Sequence, residues 1–112
     1  MSFPQSFIWP AYRFINWLPV QASNFTASPN SGYPVNTSSN AISITLPANP
    51  SFGTMVVLAD YAGTWGTNII TLIPSNANLI AGINAATSIS TSRLTTSLVY
   101  IDNKQGWLFF AP

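Results

Sequence analysis

Ile42, Ile44 and Leu46 alternate with Ser43 and Thr45, a period of two that puts three aliphatic side chains on one face of an extended chain and two hydroxyls on the other. Residues 41–46 therefore read as a half-buried β-strand. Pro47, Asn49 and Pro50 end it, Gly53 lets the chain turn back, and residues 55–59 follow as an apolar run of strand length. The pattern predicts two neighbouring strands joined by a short connection. Residues 68–73 carry Ile70 and Leu72 on one face and Ile69, Thr71 and Ile73 on the other, which predicts an interior strand, or one lying against a partner. A hairpin is predicted at the C-terminal end: residues 98–101, a loop of Asp102, Asn103, Lys104, Gln105 and Gly106, then residues 107–110, with Gly106 at positive φ. Shorter extended pieces over 24–27, 33–35 and 79–83 are separated by clusters of Ser, Pro, Asn and Gly. Ala85 and Ala86 allow no more than one helical turn over 84–88. Short strands, frequent turns and no long helix predict an all-β, single-domain fold over residues 21–112, either a β-sandwich or a Greek-key barrel.

Residues 1–20 break this rhythm. Phe3, Phe7, Trp9, Tyr12, Phe14 and Trp17 crowd a stretch interrupted by Pro4, Pro10 and Pro19, which predicts an extended aromatic N-terminal arm with at most one short strand or turn around 12–16. Such an arm has two fates: it straps its own domain or it lies on a neighbouring chain. Phe7, Trp9, Tyr12, Phe14 and Trp17 are the candidate partner contacts, because aromatic anchors concentrate interface energy. The stretch has neither the basic region of a signal peptide nor the ~20 uninterrupted apolar residues of a membrane span.

Charge changes the picture most. Of 112 residues 4% are charged, against ~25% in an ordinary soluble domain. The charged side chains are Arg13, Asp60, Arg93, Asp102 and Lys104. Serine, threonine and asparagine must do the solubilising, and a neutral polar surface is easily desolvated. With 47% hydrophobic residues and a net charge of +1, the chain has little electrostatic defence against association, which points to permanent assembly. Three scattered basic residues cannot make the stripe that nucleic-acid binding requires.

Catalysis finds little to work with. The chain has no histidine and no cysteine, so disulfides, thiolate chemistry, the usual nucleophilic triads and the usual zinc sites are excluded. Asp60 and Asp102 could in principle serve a glycosidase, but each opens a turn, where aspartate ordinarily caps backbone amides. No catalytic residue, metal ligand or cofactor is expected, and the chain is read as no enzyme. Asn24-Phe25-Thr26 and Asn36-Thr37-Ser38 match the glycosylation sequon as a chain this rich in amides and hydroxyls will by chance. A carbohydrate surface is the rival reading: Tyr61 and Trp65 as aromatic plates, with Asp60 and Asn68 beside them. Against it, Trp65 can instead fold down over the end of a sandwich.

The run from Tyr33, Val35, Asn36, Thr37, Ser38, Ser39 and Asn40 through residues 41–47, with Pro50, Gly53, residues 56–59, Asp60, Gly63 and Asn68, and then Leu98, Tyr100, Gly106 and Trp107, resembles a β-module of tailed-bacteriophage virion proteins. The likeness spans residues 25–110 and is one of turns and strands. It is shared with tail-fibre and spike segments and with small head proteins, and it brings no catalytic residues. A fibre or spike needs a shaft, for which 112 residues leave no room, so the plan is most similar to a capsid decoration or cement protein. That resemblance implies a homotrimer bound to the major capsid protein on the outer capsid surface of a virion, made in the host cytoplasm, without nucleic-acid or membrane partners. The alternative is a short tail-fibre or receptor-binding module whose partner is a host surface glycan. Residues 1–20 match nothing in the resemblance.

Overall fold

In the computed structural model, which describes residues 15–110, nine strands form two facing sheets: β1 Asn16–Trp17, β2 Phe25–Thr26, β3 Ser31–Val35, β4 Ile42–Thr45, β5 Met55–Asp60, β6 Ile70–Ile73, β7 Thr87–Ile89, β8 Thr95–Asp102 and β9 Gly106–Phe110. One sheet has the order β1-β3-β5-β8-β9 and the other β2-β4-β6-β7. No helix occurs among the described residues. Of the arm, Phe7, Trp9, Tyr12 and Phe14 lie outside the described residues.

The first six strands alternate between the sheets, so the chain winds round the core and each circuit lays its strands parallel to those of the one before. β1 pairs with β3 and β3 with β5 in one sheet, while β2 pairs with β4 and β4 with β6 in the other. The winding then stops. β7 returns antiparallel along β6, and the β8–β9 hairpin closes the five-stranded sheet antiparallel to β5. This corrects one expectation. The strands on either side of Pro47 and Gly53 are not neighbours, because residues 46–54 cross from one sheet to the other. There the connection is pinned to β8, Gly53 N–H donating to the Tyr100 carbonyl and Tyr100 N–H to the Thr54 carbonyl, both at 2.8 Å. The architecture is the β-sandwich, and its winding is not that of a Greek key.

Other boundaries move for local reasons. β3 starts at Ser31 rather than Tyr33, because Ser31 and Gly32 pair with both β1 and β5, and the Trp17 ring lies against Gly32, where a β-carbon would sit 2.8 Å from the indole. Residues 79–83 form only isolated bridges, Ile80 reaching Ile83 and Trp107, and residues 84–86 lead into β7 without a helical turn. β6 is interior to its sheet with Ile70 and Leu72 in the core, but its other face is open, and Ile73 is exposed. The C-terminal hairpin forms as expected, with Gly106 at φ 71°.

Alternation supplies the core. Ile42, Ile44, Ile70 and Leu72 of the four-stranded sheet face Val35, Val56, Leu58 and Leu98 of the five-stranded one, all buried. A tryptophan stops each end, Trp65 from the 61–69 connection and Trp107 from the start of β9, and neither has any exposure. The Trp107 ring meets Tyr100 edge-on at 5.6 Å, and its indole Nε1 is buried without a hydrogen-bond partner. An unpartnered buried donor costs about 1–3 kcal/mol, so Trp107→Phe removes that cost while giving up ring volume. The two nearly cancel. Its denaturation midpoint should stay within about 1 kcal/mol of wild type, far from the 3–5 kcal/mol of an ordinary large-to-small core change.

Candidate functional site

The winding sorts the connections to two ends. Residues 18–24, 36–41, 61–69 and 90–94 meet at one of them, here the crown, and the remaining turns form the base. The crown is organised by Asp60, the last residue of β5. Its Oδ1 accepts backbone N–H groups from Gly63 and Thr64 at 2.9 and 3.1 Å, and its Oδ2 accepts those of Trp65 and Arg93 at 3.2 and 2.9 Å. Burial pushes the Asp60 carboxyl up, but the N–H groups of Arg93, Trp65, Thr64 and Gly63 favour the charged form and together hold it below the usual 3.8.

Further bonds lace the crown together. Thr37 and Thr64 hydroxyls lie 2.8 Å apart, the Asn68 amide donates to the Thr37 carbonyl, and Gly66 N–H donates to the Ser92 hydroxyl. The Arg93 guanidinium lies against Gly63, where a β-carbon would come within 2.5 Å of it. The carbohydrate candidates are thus brought to one end but not presented. Trp65 is sealed inside with its Nε1–H on the Val35 carbonyl at 3.3 Å, so it offers no plate to a sugar. Asp60 has both oxygens committed to backbone, and Asn68 spends its amide on residue 37. Tyr61 alone of the four is exposed. At the base, Asp102 caps the amides of Lys104 and Gln105. The two carboxylates therefore sit at opposite ends, each satisfied by a turn, and a paired-acid active site is not assembled. The described residues hold no cluster of three or more acidic, histidine or cysteine side chains suited to a metal ion, and no helix among them that is long and apolar enough to cross a membrane.

The two outer faces differ in kind. On the four-stranded sheet the outward positions are hydroxylic but for one: Ser43, Thr71 and Ser88 share one register row, and Thr26 and Thr45 the next, which the exposed Ile73 completes. On the five-stranded sheet one row runs across every strand, Trp17, Gly32, Val57, Ser97 and Phe110 in register. A second row on this face joins Met55, Val99 and Leu108. Neither of these rows contains a charged residue. Trp17, the one arm candidate within the described residues, stands at the edge of this face, half exposed.

Sequence reasoning missed this face, although a signal was present. Residues 55–59 are apolar at every position, and with Val56 and Leu58 turned to the core, Met55, Val57 and Ala59 are left on the outside. It also missed Arg93 and Ser92 as partners of the 60–66 loop. Both are polar residues in a hydroxyl-rich stretch far along the chain, and nothing in their spacing marks them. No protein-family model matches the sequence, and a search of curated proteins finds no match.

Proposed function

We propose that this chain is a structural protein of a bacteriophage particle, decorating the outer capsid surface as a homotrimer that bridges neighbouring capsid subunits. The observation that supports this reading is the contrast between the outer faces: the four-stranded sheet turns mainly hydroxyls outward, whereas the outward rows of the five-stranded sheet carry no charge and leave the rings of Trp17 and Phe110 exposed. Covering such a face gains ~25 cal/mol per Å² of apolar surface without stripping water from any charge. Repetition by symmetry turns a modest contact into substantial stabilisation of a shell under internal pressure. The chemistry is that of assembly, since both carboxylates, Asp60 and Asp102, are engaged in capping turns.

Purified virions test this directly. The protein is expected at a copy number proportional to the major capsid protein, and particles lacking it should release DNA at a lower temperature than complete ones. A handful of copies confined to the tail overturns the capsid reading in favour of the second one, a short tail-fibre or receptor-binding module. One feature favours that second reading: Tyr61 stands exposed on a crown rich in hydroxyls and amides, where it could stack on a host surface glycan. An array of host polysaccharides with no binding removes it.

A further inference from the structure

Among the described residues Arg93 is the one cation at the crown, and we propose that its guanidinium, with the Tyr61 ring beside it, takes the carboxylate of an acidic sugar in a surface polysaccharide. This deepens the receptor-binding reading of the crown and rests on it. The first argument is how Arg93 is held. Its backbone stands at φ 66°, a left-handed conformation that residues with a β-carbon disfavour. Its N–H is bound to Asp60 Oδ2, while the Ser92 hydroxyl before it accepts Gly66 N–H and the Leu94 carbonyl after it accepts Asp60 N–H, each at 2.9 Å. The side chain then lies on Gly63, where a β-carbon would come 2.5 Å from the guanidinium carbon. An arginine anchored at three consecutive residues and laid against a glycine is oriented before any ligand arrives.

The second argument is what the guanidinium leaves unused. Of Arg93 only the backbone N–H is bonded to another described residue, and the side chain is exposed. At the base, Lys104 has the Asp102 carboxylate two residues away, whereas at the crown Asp60 spends both oxygens on four backbone N–H groups. A planar fork of N–H donors therefore faces water, and that fork matches a carboxylate with two parallel hydrogen bonds.

The third argument is the neighbour. Tyr61 is two residues from Gly63, at most ~7 Å along the chain, and its backbone is fixed by its N–H on the Val35 carbonyl at 3.2 Å. Its ring is more than half exposed. Ring and fork thus rise from one turn, as a ligand with an apolar C–H face and an acid group on its rim requires, and a sugar acid has both. The exposed Ser38 and Ser39 of the 36–41 connection lie at the same end to meet sugar hydroxyls. Charge selects the acid: one guanidinium balances one negative charge, and the Asp60 carboxylate held by Gly63 N–H repels a dianion such as a phosphate monoester.

The test prints bacterial surface polysaccharides containing glucuronic, galacturonic or sialic acid beside their carboxyl-reduced forms, together with sulfated and phosphorylated neutral polysaccharides. Wild-type protein is expected to bind at least one acidic polysaccharide about tenfold more tightly than its reduced form, as two charge-assisted hydrogen bonds at an exposed site allow. Arg93→Gln should bind the acidic form only as wild type binds the reduced one, and Arg93→Lys should fall between. Both keep the backbone bond to Asp60, so their denaturation midpoints should stay in the range of surface changes. Tyr61→Ala should weaken acidic and reduced forms alike. Equal binding of the two forms, or an Arg93→Gln that retains the preference, overturns the inference and leaves the receptor-binding reading standing. Preference for the sulfated or phosphorylated spots overturns the choice of a carboxylate. Absence of binding to every spot removes the inference and that reading together.

Discussion

Gly106→Ala is expected to cost the fold about 5 kcal/mol, a third or more of the stability of a domain. Gly106 opens β9 at φ 71°, and a β-carbon built on it falls 1.9 Å from the Leu79 carbonyl oxygen and 2.4 Å from its carbon. These are backbone atoms, so no rotamer can move aside. The 79–82 segment would have to detach, losing Trp107 N–H to the Leu79 carbonyl, Ala81 N–H to the Trp107 carbonyl and Gly82 N–H to the Gln105 carbonyl, and uncovering Ile80. Strained backbone, three hydrogen bonds and one aliphatic side chain together amount to about 5 kcal/mol, against a total stability of about 5–15 kcal/mol for a domain. Gly53→Ala provides the control. Gly53 also has positive φ, 88°, but nothing lies within 4 Å of its missing β-carbon, so only the backbone strain of about 1 kcal/mol applies. Urea denaturation followed by tryptophan fluorescence reads both. A folded Gly106→Ala with a wild-type midpoint would mean that 79–82 does not lie against β9.

Asp60→Asn has the next largest effect. The amide keeps one acceptor oxygen, which can hold two of the four backbone N–H groups, but it turns a donor toward the other two. The crown would then contain opposed donors where a carboxylate had bridged Gly63, Thr64, Trp65 and Arg93. Hydrogen bonds to a charged acceptor contribute about 1.5–3 kcal/mol each when enclosed. Because the carboxylate also touches water, the expected loss is discounted to about 2–3 kcal/mol in all. The pH dependence fixes the cause. Since the folded carboxyl titrates below 3.8, the unfolded chain binds more protons in that window, and stability falls as the pH drops from about 4 toward the folded value. Asp60→Asn should remove this part of the acid limb while lowering the plateau above pH 5. Asp102→Asn, at an exposed turn, should shift the plateau far less. An unchanged acid limb in Asp60→Asn would show that the crown does not depend on the carboxylate.

The strands were legible wherever one face is core and the other is water, because alternation then writes itself into residue type. Residues 41–46 are such a stretch, whereas 98–101 and 107–110 are apolar on both faces and the hairpin they form was readable from the chemistry of its loop, with Gly106 at its end. Partner choice was not legible. Val56 pairs with Ser31 and Leu98, which lie far from it on either side, and a pattern of period two says nothing about which strand comes next. The short connection before residue 55 therefore suggested adjacency, while the cross-over it actually makes is fixed by bonds to Tyr100. At the crown, Asp60 was legible as a turn cap and the role of Trp65 could be weighed both ways. The Arg93 amide at φ 66° was beyond reach, because a left-handed arginine carries no compositional mark.

The circuit plan also bears on how the chain is made. A growing polypeptide that emerges N-terminus first lays down β1 with no neighbour until β3 arrives, and β3 gains its inner partner only with β5, itself unsupported until β8. Neither early circuit contains a hairpin that could hold its shape alone. Only when Trp107 has left the ribosome can the base be stopped and the whole winding lock at once. That delay leaves the five-stranded sheet, outward face included, without its closing edge until β9 has emerged.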